Sequence, residues 1–88
     1  MNEPTERLES LILAVHRRNG GVLQHLDFKT RLLAPELRLD SLDLAELMAA
    51  IEREFGVSPF DALPVPRTWG DILELVRHRD NKAKEPSA

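Results

Sequence analysis

Residues 37–57 read LRLDSLDLAELMAAIEREFGV. Leu44, Leu47, Met48, Ile51 and Phe55 recur at three- and four-residue steps, the spacing of the apolar face of a helix. Asp40 is a good N-cap, Asp43 stands three residues on as a short form of the capping box, and Gly56 supplies the C-terminal stop. The pattern predicts a helix over Ser41–Phe55, the best-specified element of the chain.

Working outward, Leu8, Leu11, Ile12 and Val15 fall on one face of an earlier helix. Its acidic residues come early, Arg17 and Arg18 come late, and Asn19-Gly20-Gly21 stops it. Asn2, with Pro4 close behind, or Thr5 could cap its start, and the residues do not choose between them. On the other side, Thr68 reads as the N-cap of a last helix with Trp69, Ile72, Leu73 and Val76 on one face and Asp71 in its first turn.

The connection 20–39 is rich in leucine but has no sustained period and is interrupted by Pro35. It is expected to lie across the helices as an ordered loop with Val22, Leu26, Phe28, Leu32 and Leu37 partly buried. Between Gly56 and Thr68 the prolines leave room for at most a short helical turn around 60–63. The expectation is an all-α domain over residues 1–79 and a disordered polar tail over 80–88.

Composition narrows the function. Eighty-eight residues fit one small domain with a modest core. Aromatic residues are only 5%, so that core must be mainly aliphatic. A net charge of −3 without a basic stripe argues against a nucleic-acid partner. With no cysteine there is no disulfide framework, thiolate nucleophile or cysteine-ligated metal, and no metal site is expected. The longest apolar run, residues 11–15, is too short to span a bilayer, and a soluble cytoplasmic monomer is the default.

At about 100° per residue, the predicted central helix has a second stripe opposite its core face: Leu42, Glu46, Ala49 and Arg53, with Ala45 and Glu52 beside it. Exposed alanines and a lone leucine are ordinary on a solvated face. Ser41, however, lies at the helix mouth on the edge of this same stripe. Three readings of it compete. It could simply be a polar residue near an N-cap. As a nucleophile it lacks a base, since His16, His25 and His78 stand in no recognisable arrangement with it, and it sits in no G-x-S-x-G elbow. As an acceptor of a phosphodiester it is well placed, because a helix N-terminus favours an anion.

Asp40-Ser41-Leu42-Asp43, followed by Glu46-Leu47, Ile51-Glu52 and Phe55-Gly56-Val57, resembles the signature of the acyl carrier protein family. The order of elements, from a first helix through a long loop to the signature helix, a short third helix and a closing helix, is similar as well. The resemblance implies a four-helix bundle and 4'-phosphopantetheine on Ser41, attached from coenzyme A by a phosphopantetheinyl transferase using magnesium. The arm's thiol would carry acyl groups as thioesters, and the domain itself would supply no catalytic residue.

The resemblance further implies that Leu42, Glu46, Ala49, Glu52 and Arg53, with Asp40 and Asp43, face partner enzymes: an acyl-loading ligase or acyltransferase, a ketosynthase and other acyl-processing enzymes. Leu44, Met48, Leu63 and Val65 would line any space that opens for an acyl chain, although they could equally be plain core. Several positions depart from the housekeeping pattern. Arg53 replaces a common acidic residue, Arg38 a common glycine, and the segment after the signature helix is proline-rich. A specialised carrier of fatty-acid-like, polyketide-like or aryl polyene-like intermediates is therefore expected. The alternative is an unmodified helical interaction module that binds a partner through the outward stripe.

Overall fold

A computed structural model describes residues 3–84. Those residues form three α-helices, α1 (Glu3–Arg18), α2 (Ser41–Phe55) and α3 (Trp69–Lys84), and two short 3-10 turns at Pro35–Leu37 and Pro59–Asp61. Among the described residues there is no strand, only an isolated bridge between Arg31 and Thr68. The all-α expectation therefore holds.

The bounds of α2 agree with those read from its capping residues. Helix α1 already begins at Glu3, which puts Thr5 inside it rather than at its cap; Asn2 lies outside the described residues. Helix α3 runs on to Lys84, into the stretch expected to be a polar tail, while residues 85–88 lie outside the description.

The expected short third helix is a single 3-10 turn. Asp61 N–H bonds to the Ser58 carbonyl at 3.0 Å and Ala62 N–H to the Pro59 carbonyl at 3.2 Å. Growth beyond that is blocked chemically, because Pro64 and Pro66 have no N–H to donate.

The apolar faces of the helices meet in one core. Leu8 and Ile12 of α1, Leu47 and Ile51 of α2, and Trp69, Ile72 and Val76 of α3 are almost wholly removed from solvent. Leu44 and Met48, which border the 3-10 turns, and Phe55, which lies against Arg7 of α1, pack against this core only partly buried.

The connection from α1 to α2 contributes Leu26, Leu32, Leu37 and Leu39 to the same core, and Phe28 packs against it. Val22 departs from expectation: it is 87% exposed. It follows Gly21 at the point where the chain turns back over His16, and there the backbone rather than the side chain is held.

Two sets of polar contacts fix the connection. The first turn of α3 has N–H groups without intrahelical acceptors. Trp69 N–H bonds to the Thr30 carbonyl at 3.1 Å and Gly70 N–H to the Phe28 carbonyl at 2.7 Å, so the connection satisfies them. Thr68 and Asp71 complete that helix mouth with a reciprocal cap: Asp71 N–H donates to Thr68 Oγ1 at 3.2 Å, and Thr68 N–H to Asp71 Oδ2 at 3.1 Å.

The second set centres on His16, which is buried in α1. Its Nδ1 lies 2.8 Å from the Leu37 carbonyl, and its Nε2 lies 3.1 Å from the Leu23 N–H. One neighbour accepts and the other donates, so the neutral tautomer with the proton on Nδ1 satisfies both. A Cβ on Gly21 would fall on this imidazole ring, which is why glycine occupies that position.

Candidate functional site

The mouth of α2 is built by Asp40 and Asp43. Asp40 Oδ1 accepts from the Asp43 N–H at 2.8 Å, and Asp43 Oδ2 accepts from the Asp40 N–H at 3.1 Å. Leu44 N–H makes the first intrahelical bond, to the Asp40 carbonyl, at 2.9 Å. At the far end Gly56 closes the helix in the left-handed region, φ 71°, its N–H bonded to the Glu52 carbonyl.

No bond of this cap uses the Ser41 hydroxyl. Ser41 is the exposed first residue of the helix. The N–H groups of Ser41 and Leu42 have no acceptor among the described residues, so two donors and the positive end of the helix dipole remain beside the hydroxyl.

Asp43 is more constrained than its sequence position suggests. Besides the cap, it accepts from Asn19 Nδ2 at 2.8 Å and from Arg18 Nη2 at 3.0 Å, and its side chain is only 13% exposed. The Asp40 N–H and then the Asn19 amide, with a lesser share from the Arg18 guanidinium, hold its carboxyl below the ordinary aspartate value against the opposing effect of desolvation. A group so engaged is not free to hold another protein's metal or cation; Asp40, which is exposed, is freer.

Leu42, Glu46, Ala49, Glu52 and Arg53 are all exposed, and Leu42 reaches 78%. They share the outer face of α2 below Ser41. One cation from another segment, Arg18 at the end of α1, borders that face through its bonds to Asp43 and Glu46. Arg38, just before the cap, adopts the left-handed region at φ 57° as the C-cap of the first 3-10 turn, with its guanidinium near Gly20. That backbone conformation accounts physically for why glycine suits the Arg38 position.

The residues expected to line an acyl space are not gathered in one place. Leu44 lines an open, mainly apolar groove of about 700 Å³ together with Leu32, Leu33, Ala34 and Phe60. Met48 borders a smaller hollow with Pro59 and Phe60. Leu63 and Val65, the former 90% exposed, lie in a third hollow beside Leu75. Sequence reading missed Leu33 and Phe60, whose exposed apolar side chains mark the first groove.

No chemistry of activation surrounds Ser41. His16 commits both ring nitrogens to the backbone, and His25 and His78 are exposed, His25 lying 3.9 Å from Glu9. Among the described residues no cluster of His, Cys, Asp or Glu could hold a metal ion, and no helix is long and apolar enough to cross a membrane. The arrangement presents an uncommitted hydroxyl without a base. It suits a group placed there by another catalyst.

Comparison with known proteins agrees with this geometry. The family described as "Phosphopantetheine attachment site" matches residues 23–63, a span that contains most of the connection, all of α2 and the second 3-10 turn. Curated proteins named acyl carrier protein from Rickettsia canadensis (strain McKiel), Rickettsia rickettsii (strain Iowa) and Rickettsia typhi (strain ATCC VR-144 / Wilmington) are each 38% identical over 47 residues, which is 52% of this chain and 55% of each relative. The chain thus spans about half the length of the curated relatives it matches. No solved structure matches it.

Proposed function

We propose that the chain is a member of the acyl carrier protein family, as its match to the phosphopantetheine attachment site and to curated acyl carrier proteins supports, that Ser41 is the attachment residue for 4'-phosphopantetheine, and that the protein carries acyl groups as thioesters on the arm. The observation that carries this reading is the cap of α2. Asp40 and Asp43 complete it between themselves and leave the Ser41 hydroxyl outside it, exposed, beside two unpaired backbone donors.

A phosphodiester there meets the helix N-terminus favourably. The nearest carboxylates do not undo this, since Asp43 is already compensated by Arg18 and Asn19. The chain contains no cysteine, so the arm brings the only thiol. Catalysis belongs to the partners: a phosphopantetheinyl transferase that activates the hydroxyl, an acyl-loading ligase or acyltransferase, and ketosynthase-type enzymes that process the cargo. The protein acts in the cytoplasm as a monomer.

The second 3-10 turn takes the place of the family's short third helix in a four-helix bundle. Leu44, which lines the apolar groove together with Leu33 and Phe60, lies one helical turn beyond Ser41 and makes that groove a candidate resting place for an attached chain. The proline-rich segment, Arg38 and Arg53 favour a specialised pathway of fatty-acid-like, polyketide-like or aryl polyene-like chemistry. Loading the protein with an acyl-coenzyme A through a transferase and then adding neutral hydroxylamine tests the thioester: release of the acyl group with the arm retained supports it, and retention of the acyl group contradicts it.

A further inference from the structure

Glu46 sits in the middle of the outward face, and from sequence it offers a carboxylate to a basic partner. In the fold both its oxygens are taken. Arg18 donates from Nη1 to Glu46 Oε2 at 2.9 Å and from Nη2 to Oε1 at 3.2 Å, and the same Nη2 reaches Asp43 Oδ1 at 3.0 Å. One guanidinium therefore spans the acidic groups of the first two turns of α2. The two-pronged fork is the strongest geometry available to such a pair.

The pairing changes the character of the whole face. Arg18 borders it and Arg53 lies on it, while Asp43 and Glu46 are compensated, which leaves Asp40 and Glu52 as its carboxylates without a cationic partner among the described residues. Leu42, 78% exposed beside Ser41, is its main apolar feature.

We propose that Arg18 is a specificity-determining residue: by occupying Glu46 and Asp43 it withholds the acidic handle from basic surfaces, so that this carrier's partners dock by seating Leu42 in an apolar recess rather than through a cluster of lysines and arginines. The inference rests on the carrier reading. A cationic partner must displace an intramolecular competitor that never diffuses away. A partner with an apolar recess meets no such competition, and discrimination between the two arises without any change in the attachment site.

The test uses the full chain, coenzyme A, magnesium and a broad-specificity phosphopantetheinyl transferase whose docking surface is basic, with kcat/KM measured at about 20 and about 200 mM salt, on either side of strong screening. Wild type is expected to change less than about twofold between the two. Arg18→Gln should be about three- to tenfold faster at low salt and return to the wild-type rate at high salt, the behaviour of restored electrostatic steering.

Arg18→Lys, which keeps the charge but loses the fork, should fall between them. Leu42→Gln should be about tenfold slower at both salts, as expected for loss of a buried apolar anchor. A wild type that is loaded but indistinguishable from Arg18→Gln at both salts overturns the inference while leaving the carrier reading intact. Failure of every protein, wild type included, to accept the arm overturns both.

Discussion

Asp40 and Asp43 exchange hydrogen bonds across the mouth of α2, each carboxylate accepting the other's backbone N–H, at 2.8 and 3.1 Å. Ser41 stands between them in sequence and outside their exchange in space. The structural task thus rests on the two aspartates and leaves the hydroxyl free of it, which underlies the behaviour expected of variants at the site.

Ser41→Ala should leave stability within about 0.5 kcal/mol of wild type, as for a surface substitution that removes no cap. Urea denaturation of the unmodified proteins measures this directly. A loss of several times that size would place the hydroxyl in the cap and return Ser41 to a structural role.

The acid response follows from the two cap carboxylates. Asp43 is held below the ordinary aspartate value of 3.8 first by the Asp40 N–H and then by Asn19, and Asp71 first by the Arg67 N–H and then by that of Thr68. Each is depressed in the folded state, so its contribution is fully present above 3.8 and is lost as pH falls below that value through the folded-state one. Melting temperature should therefore decline below pH 4, and the double variant Asp43→Asn, Asp71→Asn should show a shallower decline. Parallel curves for the two proteins would remove these carboxylates from the acid response.

His16→Leu should destabilise the fold by about 2–4 kcal/mol, because the buried Leu37 carbonyl and the Leu23 N–H lose their partner together. Gly21→Ala should cost about 1–3 kcal/mol by forcing the connection off the imidazole. Equilibrium unfolding checks both. Two neutral substitutions would mean that the connection is not anchored through this ring.

Arg38→Gly should raise stability by a few tenths to about 1 kcal/mol, since a side chain in the left-handed region is strained and glycine is not. Arg38→Ala keeps the strain and should give no such gain. A stabilised alanine variant and an unchanged glycine variant would show that the backbone at Arg38 is not what limits this turn.

Much of this was legible in the chain, for identifiable reasons. The ends of α2 could be read because Asp40, Asp43 and Gly56 act locally, and the core faces because Leu47, Ile51, Ile72 and Val76 repeat at helical spacing. The role of His16 could not be read, since its partners at Leu23 and Leu37 are brought to it only by the path of the connection. Nor could the pairing of Arg18 with Glu46, which are 28 residues apart and meet through the packing of α1 on α2. The 3-10 turn at Pro59–Asp61 fell short of a helix because Pro64 and Pro66 deny it donors.

The attachment of the arm to Ser41 is tested most directly by intact-protein mass before and after incubation with coenzyme A, magnesium and a broad-specificity phosphopantetheinyl transferase, with Ser41→Ala alongside. The account predicts that wild type gains the mass of a single phosphopantetheine and that the variant gains none. Equal gains in both proteins, or no gain by a folded wild type that does not already carry the arm, would contradict it.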